Sequence, residues 1–411
     1  MYTPIAIIGA GPAGMIAAVQ AGRHGGKAAL LDVNPSLGRK LLITGSGRAN
    51  LTNQRVNPGR YSCADPAWIE TLLARFGHDD LIRFFESIGI LTYATDDGWT
   101  YPISDSAHSV VAAFQSALDA AGVDFIPDCH ITAIRKTKKG FELNREGAES
   151  IQCAKVLVSA GGMAYPALGS KGELFPSIEQ MGHTVLPLVP ALGPVTADMH
   201  LYQRVQGQRL DAHVELFAGE KLLAQTTGNL IFTQWGFNGP AVMDLSHWVA
   251  RRADAKNLRM VMNFLPHNEE QVRGLAKAHR KDPIPLAVIP GSSIPPTLTA
   301  FFMEQSHLPA EATLASTSDA QLEKLFNWIT RFPVQITGVR DFEYCQISAG
   351  GVPVTEVDPE TLQSRLVPGL FMAGETLDVV GPCGGNNLQY AFSSGAVAGM
   401  SMAEALSEAR K

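Results

Sequence analysis

The chain opens with an apolar run and then changes period. Ile5–Ile8 is continuous and rich in β-branched residues, as a buried strand is. Met15 to Gly22 continues as a helix of small residues, and Ala28–Leu31 is a second apolar run that ends on Asp32. Further on, "WIETLLARFGHDDLIRFFESIGI" (Trp68–Ile90) spaces its apolar residues as two amphipathic helices. "DDGWTYPISDSAHSVV" then reads as a turn, a short strand and a helix capped near Asp105 or Ser106. "VDFIPDCHITAIRKTKKGFELN" alternates as paired strands about Lys139-Gly140, and "KVLVSAGG" returns to the sheet.

Prolines cluster between Leu186 and Pro194, which predicts a domain crossing. From Val195 to about Leu265 short alternating segments predict a β-rich module. From His267 to Phe332 the pattern turns helical, with proline-rich breaks. Strands resume near Phe332, and "ISAGGVP" leads back to the first domain. Leu370–Ala373 is another buried strand, followed by a long small-residue helix from Leu388 to about Leu406. The expected organisation is α/β: a Rossmann-like dinucleotide domain from residues 1–194 and 336–411, interrupted by an inserted β-barrel-like and helical domain at 195–335.

Composition adds limits. The 411 residues are 45% hydrophobic and 18% charged, ordinary for a globular chain. The net charge of −6 argues against nucleic acid as the main partner. The five cysteines are scattered, without a C-x-x-C pair or zinc spacing, so free thiols in a reducing, cytoplasmic setting are expected and no metal site. Tyr2–Gly22 carries no charge and has the length of a membrane span. The glycines in its middle and the lack of a basic leader favour strand–turn–helix over a membrane segment or signal peptide.

Gly9, Gly11 and Gly14, with Pro12 and Ala13 between them, form G-x-G-x-x-G between that strand and helix. The first glycine permits a tight turn, the second lets backbone approach a pyrophosphate, and the third lets helix pack on sheet. The helix N-terminus offers N–H groups to the anion. Asp32, beside Val33, lies where an acid accepts from an adenosine ribose. An acid there favours a free 2′-hydroxyl, hence FAD or NAD over NADP. The segment "GRKLLITGSGRANLTN" (Gly38–Asn53) has no role in a plain NAD domain. It reads as an arm running along an extended FAD. Arg39 and Lys40 are expected at the adenosine and pyrophosphate end, and Gly45 and Gly47 where backbone nears the ribityl chain. Arg48 suits a phosphate, and Asn50 and Thr52 suit contacts near the ring. At the far end, Gly374 allows close approach and Glu375 offers a polyol acceptor. Gly384–Asn387 form a loop into the last helix, where Asn386, Asn387 and Leu388 would face the flavin. A helix N-terminus there would offset negative charge on reduced flavin.

With these residues the chain resembles the HI0933-like flavoproteins over nearly its whole length. The resemblance rests on "GAGPAG", "GRKLLITGSGRANLTN", "SAGGMAYPALGSKG", "IFTQWGFNGPAVMDLS" and "AGETLDVVGPCGGNNLQYAFSSG". It implies a two-dinucleotide-binding-type domain, non-covalent FAD and an oxidoreductase. It also implies that the Ile131 backbone pairs with adenine and that Ala160, Gly161 and Gly162 lie close to the cofactor. Some members are similar to reductases of unsaturated steroid-like acids. This chain departs from the family pattern at Ala49 (cysteine in relatives), Cys383 (usually threonine) and Asn386 (often tyrosine), so the first loop holds cofactor without supplying a thiol.

Two side chains are candidates for chemistry. Cys383 precedes the last helix, although filling a tight turn is its simpler role, and Arg48 could meet a substrate carboxylate. Tyr165, Trp235 and Phe237 could line a substrate face or simply pack. His108 and His247 read as structural, and His130 as an exposed strand residue. The insertion has no second G-x-G-x-x-G, so NADH or NADPH would bind only transiently. The expected function is hydride transfer through FAD to or from a small, apolar, unsaturated molecule. An RNA-modifying flavoenzyme and a non-catalytic flavin-binding protein are the alternatives. The sequence leaves the oligomeric state open.

Overall fold

A computed structural model describes residues 1–252 and 257–408. The chain divides into two compact units, Met1–Val189 with Gln346–Lys411, and Pro190–Cys345.

The first unit is built on a seven-stranded sheet. Its parallel part runs in the spatial order Asp124–Ile126, Ala28–Leu31, Tyr2–Ile8, Ala148–Val158 and Leu370–Met372. Tyr2–Ile8 and Ala28–Leu31 are nearly all buried, as parallel strands covered on both faces must be. Ala148–Val158 does double duty along its outer edge. Its first half pairs antiparallel with Gly140–Arg145, the middle of a hairpin with Ile131–Thr137, and its last residues pair with Leu370–Met372.

The first helix, Pro12–Arg23, packs on the C-terminal helix, Asn386–Glu408. The approach is close because the C-terminal helix presents glycine. A Cβ on Gly395 would lie 2.1 Å from the Ala13 carbonyl oxygen, and one on Gly399 2.2 Å from that of Ala17. On another face of the C-terminal helix, Phe392 stacks on Phe114 and meets Phe85 edge-on. The expected amphipathic pair forms as Pro66–Arg75 and His78–Ser87.

The second unit is a closed barrel plus helices. Its strands run in the order Val195–Ala197, Gly236–Asn238, Lys221–Phe232, Arg209–Ala218, Leu258–Asn263 and Phe332–Val339. Phe332–Val339 alternates buried and exposed positions and pairs with neighbours on both sides. That strand closes the barrel, so the unit runs on to Cys345, beyond the expected end at residue 335. Helices Glu269–Ala278, Pro296–Gln305 and Asp319–Thr330 complete it, the last with a Ser318–Gln321 capping box. Phe232, Phe237, Phe264, Phe302 and Phe332 fill the core. Among the described residues no helix is long and apolar enough to cross a membrane.

Candidate functional site

The carboxyl ends of the parallel strands gather the glycine clusters that the sequence scatters. Ile8 leads into Gly9–Gly14, Leu31 into Asp32, Ile126 into Cys129–Ile131, Val158 into Ser159–Gly162, and Met372 into Gly374–Glu375. In open α/β sheets this edge is where ligands bind.

The first turn shows why its glycines differ. Gly9 has φ +104°, and a Cβ there would lie 2.5 Å from the Ser159 carbonyl oxygen. A Cβ on Gly14 would lie 1.8 Å from the Gly9 carbonyl oxygen. Both positions are closed by the protein itself. Gly11 is the opposite: a Cβ there meets nothing within 4 Å. The backbone at Gly11 therefore faces open space beside a helix N-terminus that no side chain caps and that carries no acid in its first turn. That is the form of an anion cradle.

Asp32 is latched into the same turn. Its Oδ2 accepts from the Ala10 N–H at 2.5 Å, and its Oδ1 accepts from the Asn34 N–H and side-chain amide at 2.7 and 2.8 Å. A carboxylate has about four acceptor positions, so it can still receive a hydroxyl. Val33 beside it is exposed. Ile131 begins a strand at the sheet's edge. The Glu146 N–H donates to the His130 carbonyl at 3.0 Å, which makes Ile131–Arg145 a non-hydrogen-bonded pair. The Ile131 N–H and C=O therefore point away from the hairpin partner, as adenine pairing would need.

Across the edge, Gly161 has φ +81° and Ala160 is half-buried. A Cβ on Gly162 would strike Ser348 Oγ at 1.8 Å, and that hydroxyl accepts from the Met163 N–H at 3.0 Å. Ser348 escaped the sequence reading, though a signal existed: Ser348–Gly351 repeats the tetrapeptide of Ser159–Gly162. Gly374 (φ +63°) donates its N–H to Ser394 Oγ at 3.0 Å. Glu375 is engaged by protein: Oε1 lies 2.5 Å from Lys40 Nζ, and Oε2 accepts from the Ser348 N–H at 3.3 Å. Lys40, expected at the pyrophosphate end, thus closes an ion pair between the first arm and the last sheet strand's turn. Arg39 is half-buried.

The arm is a chain of tight turns. Gly45, Ser46, Gly47 and Ala49 have φ of 56°, 58°, 87° and 59°. A left-handed φ favours glycine at 45 and 47, although Ser46 and Ala49 hold a like conformation with a side chain. Arg48 lies flat over the Tyr101 ring, 4.3 Å from its centre, and its Nε donates to the Gly45 carbonyl. Asn50 is buried. With its amide turned to satisfy both neighbours, it donates to the Thr52 carbonyl and accepts from the Gly385 N–H. Thr52 Oγ1 donates to Gln389 Oε1, and Asn53 Nδ2 to the Gly384 carbonyl at 2.8 Å. A Cβ on Gly385 would lie 2.2 Å from the Thr52 carbonyl oxygen, and one on Gly384 2.5 Å from Trp99 Nε1. Arm and loop are thus locked face to face.

The two asparagines tie down the turn that starts the last helix. Asn387 bridges the N–H and C=O of Gly381, both at 2.8 Å. Asn386 donates to the Cys383 carbonyl at 3.3 Å, while its Oδ1 is buried with no partner among the described residues. Tyr61, also missed in the sequence, donates its hydroxyl to the Asn386 carbonyl at 2.8 Å. One turn on, the Tyr390 hydroxyl is buried and likewise unpartnered, between Tyr61 and Trp68. Burial pushes the Tyr390 and Tyr61 hydroxyls above their ordinary range. Leu388 and Cys383 are half-buried.

Other candidates fall away. Phe237 is barrel core, edge-on to Phe232, so it lines no open face: alternation in a barrel strand turned it inward. Burial raises the Cys63, Cys129 and Cys153 thiols, the last to about 12. His247 is buried, and desolvation, aided by Arg251 and Arg252, pushes it down to about 3. His183 sits between Glu356 (2.7 Å) and Ser364 (2.8 Å) in the order of a hydrolase triad. Ser364 Oγ already accepts from the Leu366 and Val367 N–H groups and is buried, so the trio is a structural staple. Among the described residues no cluster of His, Cys, Asp or Glu is placed to hold a metal.

The family model for the HI0933-like protein Rossmann domain matches residues 3–401. A 3-dehydro-bile acid delta(4,6)-reductase of Clostridium scindens is 34% identical over 407 residues, covering 97% of this chain and 99% of that protein. A ribosomal RNA dihydrouridine synthase of Escherichia coli is 30% identical over 94% of this chain and 95% of its own. A solved 3-ketosteroid-delta4-(5alpha)-dehydrogenase of Rhodococcus jostii shares the fold at 13% identity, with TM-score 0.51, covering 98% of this chain and 97% of that one.

Proposed function

This chain belongs to the HI0933-like family and is an FAD-dependent oxidoreductase, and from that premise we propose that it moves a hydride between non-covalent FAD and a small, apolar, unsaturated molecule. The observation that carries the reading is the open cradle at Gly11, set among glycine turns at the carboxyl edge of the sheet. Bound FAD supplies the two-electron chemistry, which the protein cannot perform itself.

The protein's part is to bind and orient. Gly9, Gly11, Pro12, Ala13 and Gly14 receive the pyrophosphate at the first helix N-terminus. Asp32 takes the ribose hydroxyls with its remaining lone pairs, and the Ile131 backbone takes the adenine edge. Gly45–Asn50 and Gly384–Leu388 would hold the flavin end, with the orphaned Asn386 Oδ1 ready for a donor. The 23-residue last helix directs its positive end there. Arg48, held on Tyr101, would meet a polar group of the substrate.

The reductase relative supports an unsaturated substrate, because its name describes saturation of carbon–carbon double bonds. The test is anaerobic. Protein purified with FAD should hold the flavin, lose its oxidised band on adding NADH or NADPH, and recover it with an α,β-unsaturated ketone. Colourless protein that takes up no FAD would sink the reading.

A second reading has its own support. The E. coli relative is named for reducing a double bond in ribosomal RNA, and it matches almost end to end. The net charge of −6 weighs against an RNA surface. Loss of dihydrouridine from ribosomal RNA when the gene is deleted, with steeply salt-dependent RNA binding, would decide for RNA.

A further inference from the structure

In the second unit, Arg340 is held between two aromatic rings. Its guanidinium carbon lies 4.3 Å from the centre of the Trp235 ring and 3.3 Å from that of Tyr344. The three residues arrive from different segments, and backbone bonds fix each one. The Ala197 N–H donates to the Trp235 carbonyl at 3.1 Å, the Arg340 N–H to the Pro194 carbonyl at 3.0 Å, and the Tyr344 N–H to the Asp341 carbonyl at 2.9 Å. The stack is therefore built into the end of the barrel.

Stacking occupies the faces of a guanidinium and leaves its edge. The group carries five N–H donors in its own plane, and ring contacts use none of them. Among the described residues the Arg340 side chain makes no ion pair and no hydrogen bond. The acids nearest in sequence, Asp341 and Glu343, are exposed and do not pair with it. Trp235 Nε1 is buried and also has no partner among the described residues. A cation–π contact alone explains why Arg340 covers Trp235. It leaves the guanidinium N–H groups unmet, and the buried indole N–H of the same tryptophan is unmet as well. Both ask for acceptor oxygens.

We propose that Arg340, Trp235 and Tyr344 form an oxyanion-binding site that takes the carboxylate or phosphate group of a small molecule. The planar fork of arginine matches two oxygens of one anion, which a lysine ammonium does not. The half-exposed Tyr344 ring lies against the guanidinium. Nothing in this proposal depends on flavin.

The test uses the full chain carrying 5-fluorotryptophan, with the Trp235 fluorine signal assigned by its absence in Trp235→Phe. Sodium acetate and inorganic phosphate are titrated separately against chloride at matched ionic strength. A saturable shift of the Trp235 signal with acetate or phosphate, absent with chloride, is expected, and the anion that binds tighter names the class. Arg340→Lys should weaken binding by about tenfold or more, the loss expected when a bidentate charged hydrogen bond goes. Tyr344→Leu, an exposed substitution safe for folding, should weaken it severalfold. The proposal is overturned if neither anion gives a saturable shift, or if Arg340→Lys and Tyr344→Leu bind as the wild type does.

Discussion

Three glycines of one motif should give two different outcomes when each becomes alanine. At Gly11 the backbone has φ −78° and ψ −175°, which alanine adopts freely. Its Cβ would touch no protein atom within 4 Å. Flavin-free Gly11→Ala should therefore melt no lower than wild type. Removing a glycine from the unfolded chain can even stabilise by about 0.4–1 kcal/mol, a rise of roughly 1–4 °C for a unit of this size. The new methyl stands where the pyrophosphate would lie, and overfilling a fitted site costs about 1–3 kcal/mol. FAD binding should weaken by about 5- to 150-fold at about 1.4 kcal/mol per decade. In Gly14→Ala the Cβ falls 1.8 Å from the Gly9 carbonyl oxygen, so the flavin-free protein itself should lose about 3 kcal/mol or fail to fold. Gly9→Ala should behave like Gly14→Ala, since its φ is +104°. Two measurements suffice: thermal unfolding of stripped protein, and FAD titration followed by flavin fluorescence. Gly11→Ala that binds FAD at wild-type affinity would refute the cradle. Gly11→Ala that melts several degrees low without FAD would refute the separation of fold from site.

Other substitutions test other joints. Gly395→Ala and Gly399→Ala should each cost about 1–3 kcal/mol by wedging the first and last helices apart, read as a lower midpoint in urea. Lys40→Met should cost about 1–3 kcal/mol, since Glu375 keeps only the Ser348 donors, and Lys40→Met with Glu375→Gln should recover part of the loss. For Glu356, burial raises the carboxyl, but bonds from Thr184 and His183 outweigh it, and the folded value is lowered. Its stabilisation is therefore present above the unfolded value of about 4.3 and lost as pH falls through the folded one, so Glu356→Gln should flatten the acid limb of a stability–pH curve. His130 is raised by hydrogen bonds to Glu146 and Glu173. Its contribution is complete below about pH 6.5 and lost as pH rises through the folded value. His130→Gln should thus be less stable than wild type at pH 6, by under about 1 kcal/mol for so exposed a pair, and equal to it at pH 9.

What could be read in the sequence was what glycine and period announce. The Gly9–Gly14 turn and the strand leading to Asp32 follow from local requirements that only particular residues meet. The contacts that assemble the edge were hidden because they join distant segments. Nothing at Lys40 points to Glu375, nothing at Tyr61 points to Asn386, and nothing at Thr52 points to Gln389. Phe237 shows a different limit. An aromatic side chain looks the same in sequence whether it walls a ligand or fills a barrel, and only closure of the strands settled the matter. At Gly45 and Gly47 the turn's own positive φ favours glycine, whatever lies alongside.

The discontinuity of the first unit bears on how the protein is made. Leu370–Met372 and the helix bearing Gly395 and Gly399 follow the insertion in the chain and leave the ribosome after it. Until then the groove over Ala13 and Ala17 is bare, and the carboxyl-terminal residues of Ala148–Val158 lack a neighbour on one side. The barrel, by contrast, is complete once Phe332–Val339 is synthesised. The nascent chain therefore carries a finished insertion and an unfinished sheet with an open edge, the kind of intermediate that aggregates or recruits chaperones. A chain cut short before Leu370 would carry an intact barrel and a nucleotide fold that has never closed.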